Sequence, residues 1–399
     1  MTRPKRCRTM IEAMEDRYSD IDSSLEINDS SCELTFYLPE NSPRKNATGR
    51  IIASTSMSLN HQDITDIGCT EYLHEACTST ELIDLSNNKL ESWTQISELL
   101  DTVKNVIHLN LSNNNIYHVP DIWPDTRWES LKILSLNGMH ITSFHVIEKL
   151  LERLPNLNSL DIAANRLRLS DFKSNFSHCK LEILNLTKNV FNAWTQICKI
   201  GVRFPMLNTL ILCENPLTNI SPMWNWNPNQ SFKNLKTLML SRCYLQSWHT
   251  VECFKQFPNL KSIYLSHTPI VQFLPEIVRR DIVTFFLGKR FILNGSEITE
   301  EEFETSRDNF LNYYYHVEPK PHRFKEICEN IGLEIESREL NSPSRNFILI
   351  TTRLRNGHFS IRIDEELLIS ATTEKKTTGE EIAERRFKYE FTRFRIEQW

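Results

Sequence analysis

Residues 81–90 read ELIDLSNNKL and residues 108–116 read HLNLSNNNI. Both follow one rule: apolar, any, apolar, two free positions, asparagine, any, apolar, as in Ile83, Leu85, Asn88, Leu90 and Leu109, Leu111, Asn114, Ile116. Six further stretches repeat it in phase: ILSLNGMHI (133–141), SLDIAANRL (159–167), ILNLTKNVF (183–191), TLILCENPL (209–217), TLMLSRCYL (237–245) and SIYLSHTPI (262–270). The asparagine slot falls at 88, 114, 139, 165, 189, 215, 243 and 268, in steps of 26, 25, 26, 24, 26, 28 and 25 residues.

That period is the leucine-rich-repeat period. The fold class expected is α/β: a leucine-rich-repeat solenoid, or horseshoe, in which alternating apolar residues turn one face of a short strand into the core. The slot amide caps backbone groups where the chain leaves the strand, so Asn88, Asn114, Asn165, Asn189 and Asn215 should stack as a structural asparagine ladder. Cys243 and Thr268 are polar substitutes, Met139 is a break, and a degenerate unit at Met57, Leu59, Gln62 and Ile64 starts the stack. Five residues after the slot come Trp93, Phe144, Trp194 and Trp248, read as core aromatics at the starts of short convex helices.

The flanks set the domain boundaries. Residues 1–50 read as a mostly irregular segment, with one or two helical turns in MIEAMEDRYS, and 51–272 as the repeats. Residues 273–318 read as a C-terminal repeat cap and a helix carrying Phe303, Phe310, Leu311 and Tyr314 at helical spacing. A linker with a short helix covers 319–345. From 346 to 399, FILITTRLRN and HFSIRIDEELLIS alternate on either side of Asn356-Gly357, a hairpin signal, and the charged stretch 377–399 reads as helix. This is the opening of a ubiquitin-like β-grasp, partial or divergent in so short a span.

Composition narrows the function classes. Across 399 residues, 46 basic and 51 acidic side chains give a net charge of −5, which argues against a nucleic-acid binder working through overall charge. Nine glycines, with no phosphate-loop or dinucleotide motif, leave no basis for a nucleotide cofactor. No apolar run reaches a membrane span, and the N-terminus has no apolar core of a signal peptide, so an intracellular protein is expected. Cys69, His74 and Cys77 lack a fourth ligand at zinc spacing, and no nucleophile-and-base arrangement stands out. The expectation is no enzyme, no cofactor and no metal.

A solenoid without chemistry works through its concave face. Counting back from the slot, the positions four before it include Asp84, Asp161, Asn185, Ile211, Met239 and Tyr264, and those seven before it include Glu81, Glu182, Lys236 and Lys261. The first half is acidic, whereas the second combines Lys188, Lys236, Arg242 and Lys261 with Ile211, Met239 and Tyr264. Those seven residues are the candidate partner-binding patch on the concave face.

The chain resembles the tubulin-specific chaperone cofactor E-like family, shorter relatives of tubulin-folding cofactor E. The resemblance rests on MTRPKRCRTMIEAMEDRYS, KIGVRFPMLNTLILCENPL, YLQSWHTVECFKQFPNLKSIYLSHTPI and, most specifically, ILNGSEITEEEFETSRDNFLNYYYHV. It covers about residues 1–340, and with one glycine before residue 68 and no GKNDG motif the chain resembles the short form without the CAP-Gly domain of the long relatives. The resemblance implies a cytoplasmic, cytoskeleton-associated protein that binds tubulin, destabilises the heterodimer and promotes tubulin turnover. It further implies proteasome contact through the C-terminal segment, without a nucleic-acid or membrane partner. The alternative is an intracellular repeat scaffold of the phosphatase-regulatory or spliceosomal type.

Overall fold

The computed structural model describes residues 7–18, 43–46, 48–116, 126–167, 176–220, 231–272, 274–317, 320–330, 348–354 and 357–363. Two compact units divide the chain, Met1–Arg307 and Asp308–Trp399.

The first unit is built on an eleven-stranded sheet. Its strands are β3 (Ser56–Ser58), β4 (Leu82–Asp84), β5 (His108–Asn110), β6 (Ile133–Ser135), β7 (Ser159–Asp161), β8 (Ile183–Asn185), β9 (Thr209–Ile211), β10 (Thr237–Met239), β11 (Ser262–Tyr264), β12 (Ile292–Leu293) and β13 (Ser296–Glu297). Strands β3 to β12 are parallel in sequence order, and β13 folds back antiparallel on β12. A separate antiparallel pair, β1 (Arg44–Lys45) and β2 (Ile51–Ile52), precedes them. Each central strand residue pairs with its equivalent one coil on, so Ile83, Leu109, Leu134, Leu160, Leu184, Leu210, Leu238 and Ile263 form one buried column. Leu85, Leu111, Leu136, Ile162, Leu186, Leu212, Leu240 and Leu265 form a second. Both follow from alternation: residues two apart on a pleated strand share a face.

The slot amides tie neighbouring coils together. Asn165 donates to Leu136 O (2.7 Å) and Ala163 O (3.0 Å), and its Oδ1 accepts from Met139 N (2.9 Å) and Ile141 N (3.1 Å). Asn88, Asn114, Asn189 and Asn215 donate in the same way to Leu59 and Leu85, Leu85 and Leu111, Ile162 and Leu186, and Leu186 and Leu212. At the substituted slots the Cys243 thiol donates to Leu212 O and the Thr268 hydroxyl to Leu265 O, while Met139 places a buried apolar group there. A second ladder, absent from the sequence reading, runs along the opposite corner. Asn105, Asn156, Asn234 and Asn259, each nine before a slot, donate to Thr78 O, Glu129 O, Pro205 O and Lys233 O of the preceding coil.

Helices cover the other face of the sheet. Among them, α3 (Trp93–Thr102), α4 (Phe144–Leu151), α5 (Trp194–Arg203) and α6 (Trp248–Cys253) each begin at the repeat aromatic. Ser92, Ser143 and Ser247 cap three of them through N–H groups two residues on. Trp93, Phe144 and Trp194 are buried, and Trp248 stacks on Phe286 at 4.3 Å. Within residues 1–50, α1 (Met10–Tyr18) shields the first coil: Met10, Ala13 and Met14 are fully buried, and Met10 N donates to Asp66 O. Thr9 and Glu12 start it with a reciprocal capping box. The helix α2 (Thr70–Ala76) follows. The last coil is closed by α7 (Pro269–Gln272) and α8 (Glu276–Leu287), which buries Ile282, Val283, Phe285 and Phe286.

The long helix α9 (Glu300–His316) crosses the unit boundary. Its N-terminal part belongs to the first unit, where Phe303 stacks on Phe285 at 5.7 Å. In the second unit Phe310 packs with Tyr314 and with Phe324 of α10 (His322–Asn330). The hairpin of β14 (Ile348–Leu354) and β15 (Gly357–Ile363) pairs Leu354 with Gly357, so Gly357 of the expected Asn356-Gly357 turn is the first residue of β15. This register sets Ile348 opposite Ile363 and Ile350 opposite Ile361. The linker end at 331–345 and the charged stretch 377–399 lie outside the described residues.

One buried histidine predicts a pH dependence of the array's stability. His178 donates from Nε2 to Leu154 O (2.8 Å) and accepts at Nδ1 from Leu181 N (3.2 Å), which fixes the neutral ring. Burial pushes its pKa below the usual 6.5, outweighing the bond to Leu154. The unfolded chain takes up a proton near 6.5 while the folded chain resists it, so this contribution is whole above that pH and is lost as pH falls through it. The denaturation midpoint should drop between about pH 7 and pH 5, and less so in His178→Gln, which cannot titrate. Identical pH slopes for the two proteins would exclude His178 as the cause.

Candidate protein-binding surface

The sheet face turned away from the helices is built from residues four and six before each slot, which alternation places on one side of every strand. Ile211, Met239 and Tyr264 lie directly beside one another on β9, β10 and β11, each half-buried. The strands before them carry Asp84, Asn110, Ser135, Asp161 and Asn185 in the same row. These polar groups have local work. Asp84, Asn110 and Asn185 accept from the N–H two residues on, at Ser86, Ser112 and Thr187, and Asp161 accepts from Ser135 Oγ. Ile211, Met239 and Tyr264 can serve no such purpose, so the apolar row is not explained by the turn.

Lys236 and Lys261 stand one residue before their strands, exposed, and among the described residues neither makes an ion pair. Simple alternation would turn this row into the core. It points outward because the carbonyl at this position accepts two N–H groups, as Asn208 O does from Lys236 and Thr237 and Lys236 O from Lys261 and Ser262. This local bulge rotates the chain at strand entry.

Lys188 and Arg242 are not on the strands. They occupy the left-handed corner just before the slot (φ 59° for both), a position shared by Asn87, Asn113, Gly138, Ala164, Glu214 and His267, where the chain turns off the sheet. There they flank Glu214, with Lys188 Nζ at 3.6 Å and Arg242 at 3.3 Å from its carboxylate. At more than 60% exposure for each cation, these pairs contribute at most about 1 kcal/mol. They belong to the rim of the patch, across the apolar row from Lys236 and Lys261.

The residues six before the slot, Leu82, His108, Ile133, Ser159, Ile183, Thr209, Thr237 and Ser262, share the open face and were missing from the sequence reading. Alternation was the signal for them. Ile183 on β8 extends the apolar row to a diagonal strip over four neighbouring strands, Ile183, Ile211, Met239 and Tyr264.

Cys69 Sγ lies 2.9 Å from Glu71 Oε2 at the start of α2, and Cys77 is buried with its thiol pushed up to about 11. Among the described residues no group of three or more His, Cys, Asp or Glu could hold a metal ion, and no helix is long and apolar enough to cross a membrane. Two shallow hollows of about 220 and 160 Å³ are lined around Trp128 and around Arg279, and none of the strip residues lines either. The surface is an open face suited to a macromolecule.

No family model matches the chain. Among solved structures it is similar to a leucine-rich-repeat protein of Leptospira interrogans, at 21% identity over 63% of this chain and 58% of that one, with a TM-score of 0.39. Among curated proteins, tubulin-folding cofactor E of Arabidopsis thaliana is 25% identical over 84% of this chain and 67% of its own. The tubulin-specific chaperone cofactor E-like protein of Caenorhabditis elegans is 24% identical over 82% of this chain and 73% of its own. The human tubulin-specific chaperone cofactor E-like protein is 32% identical over 336 residues, 82% of this chain and 77% of that one. With that identity over most of both chains, this protein belongs to the tubulin-specific chaperone cofactor E-like family.

Proposed function

We propose that this chain is a non-enzymatic tubulin-binding protein that destabilises the tubulin heterodimer and promotes tubulin turnover in the cytoplasm. The relatives' names supply tubulin as the client. The observation that carries the reading is the in-register row Ile211, Met239 and Tyr264 between exposed Lys236 and Lys261 and the Lys188–Arg242 rim. The lysines attract acidic tubulin surface, and apolar contact holds the complex. Heterodimer dissociation follows only if one subunit is bound in a form its partner subunit cannot share, because differential affinity alone moves an equilibrium.

The combined variant Lys236→Glu, Met239→Ala, Lys261→Glu, Tyr264→Ala tests this. All four side chains are on the open face, so the fold should survive. Tubulin co-sedimentation is expected to weaken at least tenfold, about 1.4 kcal/mol. Overexpressed wild-type chain should deplete total tubulin on immunoblots while the variant does not. Undiminished tubulin loss with the variant would remove the sheet face from the account.

A further inference from the structure

The patch has a geometry that selects the shape of its client segment. Ile183, Ile211, Met239 and Tyr264 lie on four successive strands, one apolar group per strand. Strands in a sheet stand about 4.8 Å apart, and a helix rises about 5.4 Å per turn. A helix laid along the Ile211–Met239–Tyr264 row would therefore set roughly one apolar side chain over each strand, and a tilt across β8 brings it over Ile183, which pairs with Thr209 two residues off that row.

The width agrees as well. Lys236 is three residues before Met239, so its border stands roughly 10 Å to one side of the strip at about 3.3 Å per residue, and Arg242 lies past the other end of the strand, at the corner that bounds the face. A helix with its side chains is about 10–12 Å across. Its flanks would meet Lys236 and Lys261 on one border and the Lys188–Glu214–Arg242 chain, two cations and one anion, on the other.

An extended segment finds no counterpart here. Strands β8, β9, β10 and β11 each have a hydrogen-bonded neighbour on both sides, so the face has no free strand edge to pair with. A strand lying on it would leave its own N–H and C=O groups unmatched, whereas a helix arrives with its backbone satisfied.

We infer that the client segment seated on this face is an amphipathic α-helix, with apolar residues at three- and four-residue spacing over Ile183, Ile211, Met239 and Tyr264 and with Asp or Glu flanking them. The inference rests on the tubulin reading above and adds the shape and charge of the element that is gripped.

The test uses the full chain carrying a photo-crosslinking benzoylphenylalanine at Met239, mixed with purified tubulin dimer, with crosslinks mapped by mass spectrometry. The expected result is a crosslink on a single tubulin helix, at residues three or four apart with Asp or Glu one turn away. The Lys236→Glu, Lys261→Glu pair should weaken tubulin binding at least tenfold and flatten its salt dependence. Circular dichroism and an unchanged denaturation midpoint verify that the variants fold. Tubulin that binds but crosslinks through a strand or loop overturns the helix and leaves the sheet-face reading standing. Crosslinks only to a second copy or to residues 364–399 of the chain itself also overturn it. A wild-type chain that fails to bind tubulin removes both readings.

Discussion

Replacing Gly201 by alanine is expected to destabilise the repeat array by about 2–3 kcal/mol, although alanine is the better helix former. Gly201 is buried within α5, facing Ser231 and Phe232 of the next coil. An added Cβ would overlap the Ser231 carbonyl oxygen and lie 2.7 Å from the Ser231 carbonyl carbon and 2.8 Å from Phe232 Cε1. The obstacle is backbone, which cannot swing aside as a side chain can, and Phe232 is itself held against Trp194 at 6.0 Å. The helix gains about 1 kcal/mol in propensity from the exchange, and the overpacking exceeds it. Urea denaturation is the measurement. Val202→Ala, at an adjacent position 56% exposed, is the control and should stay within about 0.5 kcal/mol. A Gly201→Ala protein as stable as wild type would mean that α5 and the Ser231 backbone do not touch.

Replacing Asn165 by alanine should cost more, about 3 kcal/mol or above, since each buried polar group left without a partner costs about 1–3 kcal/mol. The Asn165 amide serves Leu136 O, Ala163 O, Met139 N and Ile141 N, three of them in the neighbouring coil, and the residue is fully buried. Truncation leaves those two N–H and two C=O groups facing a small buried cavity with no side-chain amide to meet them. The effect should be larger here than at Asn88, because the preceding slot is Met139 and contributes no amide. Amide hydrogen exchange provides the direct reading: Met139 and Ile141 should lose protection ahead of β9 and β10. Unchanged protection at those two amides would mean that the ladder does not hold the coils together.

Much of this was legible in the residues alone. The coil phase, both core columns, the slot amides and the helix starts at Trp93, Phe144 and Trp194 all follow from local spacing. Ile211, Met239 and Tyr264 were found by the same count. For Lys188 and Arg242, distance from the slot does not give position on a strand, because the left-handed corner takes them off it. The six-before row, Ile183 with it, faces outward by alternation, whereas the seven-before row is one that alternation by itself would bury.

The sequence by itself determined the repeat, its length and which side chains go inward, because alternation and amide capping act within a few residues of the chain. Only the tertiary structure decided which residues 24–28 apart lie side by side, and hence that Ile211, Met239 and Tyr264 form one row with Ile183 diagonally beyond it and that Glu214 sits between Lys188 and Arg242. It also decided that Lys236 and Lys261 face outward. Those outcomes depend on hydrogen bonds between coils, where one carbonyl receives two N–H groups of the next turn, and no count along a single coil contains that bond.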